Sequence, residues 1–331
     1  MSESSPISWI DRFRRLVNEK IVSLKVSPQT FLIGSSLIVG LLSGGGYILL
    51  RETVSAVHYV IYGQGESLLG MEPGSWTRVF TPLLPVAGAL LLIPLALLFP
   101  GEVNGYRFPK FLEKVNIQGG VIRARTILIT LLAPAFTIGS GGSAGLEGPI
   151  ATIGGAIGSN TGHIFKVSGN RMKVLIACGT AGGIAAAFNA PIAGVLFALE
   201  IVLLGDFALS NFSPIVISSG IATVVSRAYF GHSPIFMIRK YVLVSNWELL
   251  LYSVMGIVIG LSAVIFISMF YRAADFFEQM DLHPLLKPLA GAFCVGALGI
   301  FFPQVMGAGY EVMNDALRGE IALGTMMIVV L

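Results

Sequence analysis

The stretch GSGGSAGLEGPIATIGGAIGSNTG, from Gly139 to Gly162, decides the fold. It holds one carboxylate, Glu147, among glycines, and Pro149 follows in a place that suits the first turn of a helix. The glycines allow an irregular backbone, which a membrane interior tolerates only where that backbone is buried in protein or lines a cavity. The pattern therefore predicts a helix that begins partway across a membrane, with an ionisable group at its start.

A helix that begins at membrane depth is suited to binding an anion. Its first N–H groups are free, and together they carry roughly half a positive charge. The carboxylate of Glu147 can itself be that anion, and an ionisable residue inside a membrane is by default a functional residue. We therefore predict that Glu147 competes with a permeant anion, and that protonation or displacement of this carboxylate frees the site.

The composition places the rest of the chain in the membrane as well. Of 331 residues, 54% are apolar and 12% are charged, whereas a soluble chain carries about 25% charge. A membrane-spanning helix needs about 20 apolar residues, and apolar runs recur at Phe31–Leu50, Phe80–Phe99, Thr126–Ile138 and Leu249–Phe270. The net charge of +3 is small, so nucleic acid is not an expected partner. We expect an all-α, polytopic membrane protein.

An internal repeat organises these helices. The segment PLLPVAGALLLIPLALLFP from Pro82 matches PLLKPLAGAFCVGALGIFFP from Pro284 at a constant offset, including the prolines and the central Ala-Gly-Ala. A Gly-Tyr pair follows each copy, at Gly105-Tyr106 and Gly309-Tyr310. Transporters are commonly built from repeats, with the transport site at the interface between the halves. Chance similarity between two helices rich in leucine, alanine and glycine is the alternative.

These signals divide the chain into four parts. Residues 1–28 should form an amphipathic helix, because apolar residues recur there at helical spacing. This end should be cytoplasmic, because basic residues precede the first span. Residues 29–228 would form the first membrane repeat with the gate, 229–246 a polar connection, and 247–331 the start of a second repeat. The last run, Ile321–Leu331, is shorter than a membrane span. We therefore expect the second repeat to be truncated here and the reading frame to continue.

A second motif, CGTAGGIAAAFNAPIAGVLFALE from Cys178 to Glu200, predicts a helix of small residues that is broken and then resumed. Small residues permit close approach of backbones. Asn189 is predicted to cap the resumed helix and Pro191 to lie in its first turn. Taken alone, this motif indicates only tight packing.

Together, the two motifs resemble the CLC family of chloride channels and chloride–proton antiporters. Gly145–Pro149 is similar to that family's Gly-(Lys/Arg)-Glu-Gly-Pro signature, and Ala185–Glu200 is similar to a family segment almost residue for residue. A third signature, Gly-Ser-Gly-Ile-Pro, is degenerate here and falls on the segment that ends at Pro109. The resemblance implies an inverted-repeat fold with broken and half-membrane helices. It also implies a homodimer with one pore per subunit, without a cofactor or enzymatic activity.

The same resemblance implies a set of site residues. Glu147 would be the gating glutamate, and the anion would be bound by the backbone at Leu146, Gly148, Pro149 and Ile150. Leu146 replaces the cation that is usual beside the gate. Tyr106 falls where the family has an anion-coordinating serine, and Ile201 falls where its proton-coupled members usually carry a second glutamate.

The expected function is passive conduction of chloride or a similar small anion. The protein would lie among the lipids of a plasma membrane or a bacterial inner membrane. A chloride–proton antiporter is the alternative. Two further classes stay open: a secondary transporter of another solute, with Glu200 and Asp206 as proton or cation sites, and an intramembrane serine protease. The protease would need a histidine base beside Ser143.

Overall fold

The computed structural model describes residues 27–65, 67, 70, 76–100, 108–167, 169–205, 208–232, 235, 236, 238, 243, 245–321, 324 and 326. Over these residues the regular structure is helical throughout, which confirms the all-α prediction. The helix predicted within residues 1–28 lies almost wholly outside this range, and Tyr106 lies outside it. The division into four parts stays a prediction, although the last helix of the first repeat extends to Phe230, just inside the predicted connection.

The helices follow one another along the chain. They are α1 Pro28–His58, α2 Leu83–Leu98, α3 Phe108–Asn116, α4 Arg125–Gly139, α5 Glu147–Ile164, α6 Asn170–Phe188, α7 Pro191–Phe197, α8 Leu209–Phe230, α9 Trp247–Gln279, α10 Lys287–Phe301 and α11 Tyr310–Arg318. Helix α1 continues as a π-helical turn at Tyr59–Gln64, and α7 continues as one at Ala198–Val202.

The helices fall into two length classes. Within the part of the chain that the structure describes, four stretches are long and apolar enough to cross a membrane: Gln29–Gln64, Arg78–Leu98, Asn170–Phe188 and Trp247–Gln279. The apolar helices Arg125–Gly139, Pro191–Val202 and Lys287–Phe301 are shorter than the about 20 residues that a span requires. The presence of both membrane-spanning and shorter apolar helices agrees with the prediction of broken and half-membrane helices.

The centre of the molecule is the crossing of α5 and α6, where the two backbones touch. A Cβ added at Gly154 would lie 2.0 Å from the carbonyl oxygen of Gly179, and one added at Gly158 would lie 2.0 Å from that of Leu175. Only glycine fits at such a distance. Because small residues let helices approach closely in a membrane, this crossing gives α5 a fixed position.

Helix α8 also packs against α6 and is bound to it and to the start of α7 by serine hydroxyls. Ser218 Oγ donates to the carbonyl oxygen of Cys178 at 2.7 Å, and Ser226 Oγ donates to that of Ala186 at 2.8 Å. Ser219 Oγ donates to the carbonyl oxygen of Pro191 at 2.7 Å. Such hydrogen bonds link helices where no water is available to bind these groups.

The two copies of the internal repeat form helices that end alike and pack together. The residue that caps the end of α2, Phe99, has φ −128° and ψ 66°, and the residue that caps the end of α10, Phe302, has φ −131° and ψ 79°. In each copy the N–H of that phenylalanine donates to a leucine carbonyl four residues earlier. A Cβ on Gly296 of α10 would lie 2.4 Å from Cα of Pro82, just before α2. The matched local geometry argues against chance similarity.

The break between α6 and α7 is where it was predicted, but the role predicted for Asn189 is wrong. Asn189 adopts the left-handed conformation, with φ 54° and ψ 31°, and ends α6, while Ala190 is the residue that caps α7. Asparagine is one of the few residues other than glycine that tolerate this conformation. Its side chain accepts a hydrogen bond from Nε of Arg227 and donates one to the carbonyl oxygen of His232 at 3.2 Å.

Candidate functional site

Helix α5 begins at Glu147, as the sequence predicts. The start of the helix is enclosed by protein: Leu146 and Ile150 are buried, and Gly148 and Pro149 are half-buried. The N–H of Ile150 donates to the carbonyl oxygen of Leu146 at 2.9 Å, which closes the first turn. The positive end of α5 is therefore largely covered by protein, and the acidic residue in its first turn, Glu147, is itself half-buried.

The segment before α5, residues 140–146, is called the gating loop here. Its first turn is tight, since the N–H of Gly142 donates to the carbonyl oxygen of Thr137 at 2.7 Å. Gly141 has φ +97°, and a Cβ there would lie 2.2 Å from the hydroxyl oxygen of Tyr62. Glycine is required at this position for both reasons.

The end of α1 contacts the end of α4, just before the gating loop. The ring of His58 stacks on Tyr62 with centroids 4.6 Å apart, and Nδ1 of His58 lies 3.3 Å from the carbonyl oxygen of Gly139. This histidine is thus engaged with backbone at the end of α4. No bond between a histidine and Ser143 is found among the described residues, so the structure gives the protease hypothesis no support.

The carboxylate of Glu147 turns back over the gating loop. A Cβ added at Gly145 would lie 2.0 Å from Oε2 of Glu147, so the carboxylate occupies the space that a side chain at position 145 would fill. The other oxygen, Oε1, accepts a hydrogen bond of 2.8 Å from the hydroxyl of Tyr310. The carboxylate is therefore held at the start of α5 by a donor from the second repeat.

The second repeat reaches the gating loop through its backbone as well. The N–H of Ala144 donates to the carbonyl oxygen of Gly307 at 3.3 Å, and the N–H of Gly307 donates to the carbonyl oxygen of Gly141 at 3.2 Å. This reciprocal pair fixes the loop before α11 against the gating loop. The site is thus built where the two repeats meet, which is where transporters of this plan place it.

Two of the predicted site residues, Gly148 and Ile201, lie beside opposite ends of α3. A Cβ added at Gly148 would lie 3.7 Å from Cβ of Phe108, the first residue of α3. At the last residue of α3, Nδ2 of Asn116 donates to the carbonyl oxygen of Val202 at 3.3 Å, beside half-buried Ile201. At 1.5 Å per residue, these ends are about 12 Å apart. The first turn of α5 and the position of Ile201 are therefore separated sites linked by one short helix.

Two cavities flank the gating loop. One, of about 500 Å³, is mostly apolar and lies between Ser143–Gly145 and the segment Gln304–Ala316 of the second repeat. The other, of about 340 Å³, is lined by polar and charged side chains that include His58, Arg78 and Glu311. Gly307 lines both. Movement of the gating loop would change the shape of either cavity.

Sequence reasoning did not identify Tyr310 as a site residue. It is separated from Glu147 by 163 positions, and α11 is a short polar helix rather than an apolar span. One signal was present: Tyr310 belongs to the Gly-Tyr pair that repeats the pair containing Tyr106. Tyr106 itself precedes Phe108 by two positions and lies outside the described residues.

Comparison with known proteins agrees with the resemblance of the motifs. Residues 87–331 match the family model described as Voltage gated chloride channel. A chloride channel protein described as ClcB-like, from Ralstonia nicotianae, is 31% identical over 291 residues, which are 85% of this chain and 67% of that protein. The H(+)/Cl(−) exchange transporter ClcA of Vibrio campbellii is 28% identical over 319 residues, covering 93% of this chain and 67% of the transporter.

Two solved structures share the architecture. A slow cyanobacterial Cl−/H+ antiporter superposes with a TM-score of 0.78 at 25% sequence identity, over 92% of this chain and 71% of the antiporter. A CLC-type fluoride/proton antiporter superposes with a TM-score of 0.73 at 20% identity, over 92% and 76% of the two chains. The second likeness concerns the fold alone.

Proposed function

The chain belongs to the voltage gated chloride channel family, and from that premise we propose that it conducts chloride or a similar small anion through a pore gated by Glu147. Its multi-pass, all-helical fold is that of an integral membrane protein. Anion transport is the activity that the family relationship supports. The identity of the gate, the anion site and the passive mode of transport are the parts proposed here.

One observation carries the proposal: the carboxylate of Glu147 lies at the enclosed start of α5, bound by a hydroxyl donor. A carboxylate in that place fills the anion site with a charged group of the protein itself. It blocks the site while it is ionised and seated. When it is protonated it loses the charge that the positive end of the helix attracts, and a permeant anion can take its place.

The first turn of α5 limits which groups can bind that anion. Pro149 has no N–H, and the N–H of Ile150 already donates to Leu146. The N–H groups of Leu146, Glu147 and Gly148 are therefore the proposed donors, while Pro149 and Ile150 form the turn around them. Leu146 brings no charge, so attraction rests on the helix end and on hydrogen bonds.

Passive conduction is proposed because Ile201 has no carboxylate. It lies beside the end of α3 that is farther from the gate. A proton relay through the protein needs titratable groups along its path. The alternative, proton-coupled exchange, is favoured by the names of relatives such as the H(+)/Cl(−) exchange transporter of Vibrio campbellii. Tyr106, proposed as a further anion ligand near the start of α3, does not distinguish the two.

Reversal potentials of the purified protein in planar bilayers test the proposal. Under a chloride gradient at equal pH, passive conduction predicts a reversal potential that follows the chloride gradient. A pH gradient at equal chloride should then leave the reversal potential at zero. A reversal potential that moves with the pH gradient would contradict passive conduction and support exchange. Absence of any anion current from folded protein would contradict the proposed function itself.

We also propose a homodimer with one pore per subunit and a cytoplasmic N-terminus. The dimer rests on the family relationship, and the orientation rests on the basic residues before the first span. A tag at the N-terminus should be cleaved by protease only from the cytoplasmic side. Cleavage from the opposite side would contradict the orientation, and a monomer in mild detergent would contradict the dimer.

A further inference from the structure

Tyr310 is the side chain that the second repeat presents to the gate. Its hydroxyl donates to Oε1 of Glu147 at 2.8 Å. The phenol is half-buried, and its ring meets that of Phe236 edge-on at 6.1 Å. The hydroxyl is therefore directed at the first residues of α5.

The backbone around Tyr310 fixes the position of this hydroxyl. Gly309 has φ +74° and caps the start of α11, so the chain turns sharply just before the tyrosine. Gly307 is bonded in both directions to the gating loop. Nδ2 of Asn314 donates to the carbonyl oxygens of Ile235 at 2.9 Å and Tyr310 at 3.0 Å. Contacts on both sides thus hold α11 against the start of α5.

A donor that binds this carboxylate can also bind the anion that replaces it. Chloride and a carboxylate oxygen are both acceptors for a phenol O–H, and the phenol carries no charge of its own. A neutral donor binds an anion without trapping it, which conduction requires because each site must release the ion as well as bind it. The repeat supports the same role, since Tyr310 and Tyr106 follow the two copies in places that match to within one residue.

We propose that Tyr310 is an anion-coordinating residue of the pore. Its hydroxyl donates to the carboxylate of Glu147 in the closed state and to the permeant anion after the carboxylate has left. The inference rests on the proposed function of Glu147 as the gate. It adds a ligand from the second repeat to an anion site otherwise formed by the start of α5.

Chloride binding in a background without the carboxylate tests the coordination directly. Glu147→Ala vacates the site, and isothermal titration with sodium chloride gives the dissociation constant. Adding Tyr310→Phe should weaken chloride binding about tenfold, because a hydrogen bond to a charged group is lost. Tyr271→Phe is the matched control in the same background, since Tyr271 is exposed on α9, and it should leave the constant unchanged. Equal affinity with and without the Tyr310 hydroxyl would overturn the proposal.

The single variant Tyr310→Phe tests the closed state in the presence of Glu147. It keeps the ring that meets Phe236 and removes one oxygen, and a melting curve with gel filtration checks that it is folded. Loss of the donor favours departure of the carboxylate, so the pH of half-maximal chloride flux should rise by about one unit. A profile identical to that of the wild type would overturn the role in closing the gate.

Failure of the gate and failure of Tyr310 give different results. If Glu147→Ala retained wild-type pH dependence, the gate assignment itself would fail. If Glu147→Ala abolished that dependence while both tyrosine measurements showed no change, the gate would stand and only the role of Tyr310 would be refuted.

Discussion

Helices α6 and α9 are both long and apolar enough to cross a membrane, but they differ in how much of their surface is buried inside the protein. Helix α9 has the higher mean hydropathy, yet none of its residues is buried against the part of the chain that the structure describes. In α6, 83% of the most apolar window is buried. Hydropathy thus identifies which helices enter the membrane, but it does not tell which of them pack inside the protein.

The difference lies in what faces each helix. Gly154 and Gly158 of α5 are spaced four residues apart and meet the backbone of α6. Gly256 and Gly260 of α9 have the same spacing, and a Cβ added at either would meet no atom within 4 Å. The same motif therefore brings two backbones into contact in one place and remains unpartnered, among the described residues, in the other.

The largest effect is expected from a methyl group at the α5–α6 crossing. Gly158→Ala would place a Cβ 2.0 Å from the carbonyl oxygen of Leu175, so the helices must separate. We expect a loss of about 3 kcal/mol in the free energy of unfolding, at the upper end for overpacking. Denaturation in mixed micelles measures it. Wild-type stability would mean that the backbone contact at this crossing is not needed.

A smaller effect is expected at the break that ends α6. Asn189→Ala forces alanine into the left-handed region and removes the bonds to Arg227 and His232. The expected loss is about 2 kcal/mol. Asn189→Gly is the matched variant, because glycine keeps the conformation and loses only the bonds. If both variants were equally unstable, the conformation would contribute nothing and the side-chain bonds would explain the whole effect.

The smallest effect is expected on α9, where Gly260→Ala is the counterpart of the change at Gly158. A Cβ there meets nothing within 4 Å, and alanine is the better helix former by about 1 kcal/mol. The same denaturation assay should show no loss, or a gain of up to that amount. A loss as large as that of Gly158→Ala would show that α9 packs as tightly as α6, and would remove the contrast between them.

The features that depend on neighbouring residues could be predicted from the sequence. The start of α5 at Glu147 follows from Glu147 and Pro149 after a run of glycines, and the break at 189–191 follows from Asn189 and Pro191. The repeat predicted that α2 and α10 would be alike, and their ends share the same backbone angles. Asn189 was assigned to the wrong helix because asparagine is favoured at both kinds of cap.

The features that depend on distant residues could not be predicted. The bond from Tyr310 to Glu147 joins the two repeats, and neither residue carries a local pattern that points to the other. The burial of α6 and the exposure of α9 depend on which helices lie beside them, which composition does not encode. A repeated Gly-Tyr pair indicated that Tyr310 has a counterpart, but not what it contacts.

The most direct test of the gate is the pH dependence of chloride flux from liposomes for the wild type, Glu147→Gln and Glu278→Gln. Glu278 is an exposed carboxylate on α9, and its variant should behave as the wild type. We predict that flux through the wild type rises as the pH falls, and that Glu147→Gln conducts chloride at a rate independent of pH. A folded Glu147→Gln protein that kept the wild-type pH dependence would contradict the account.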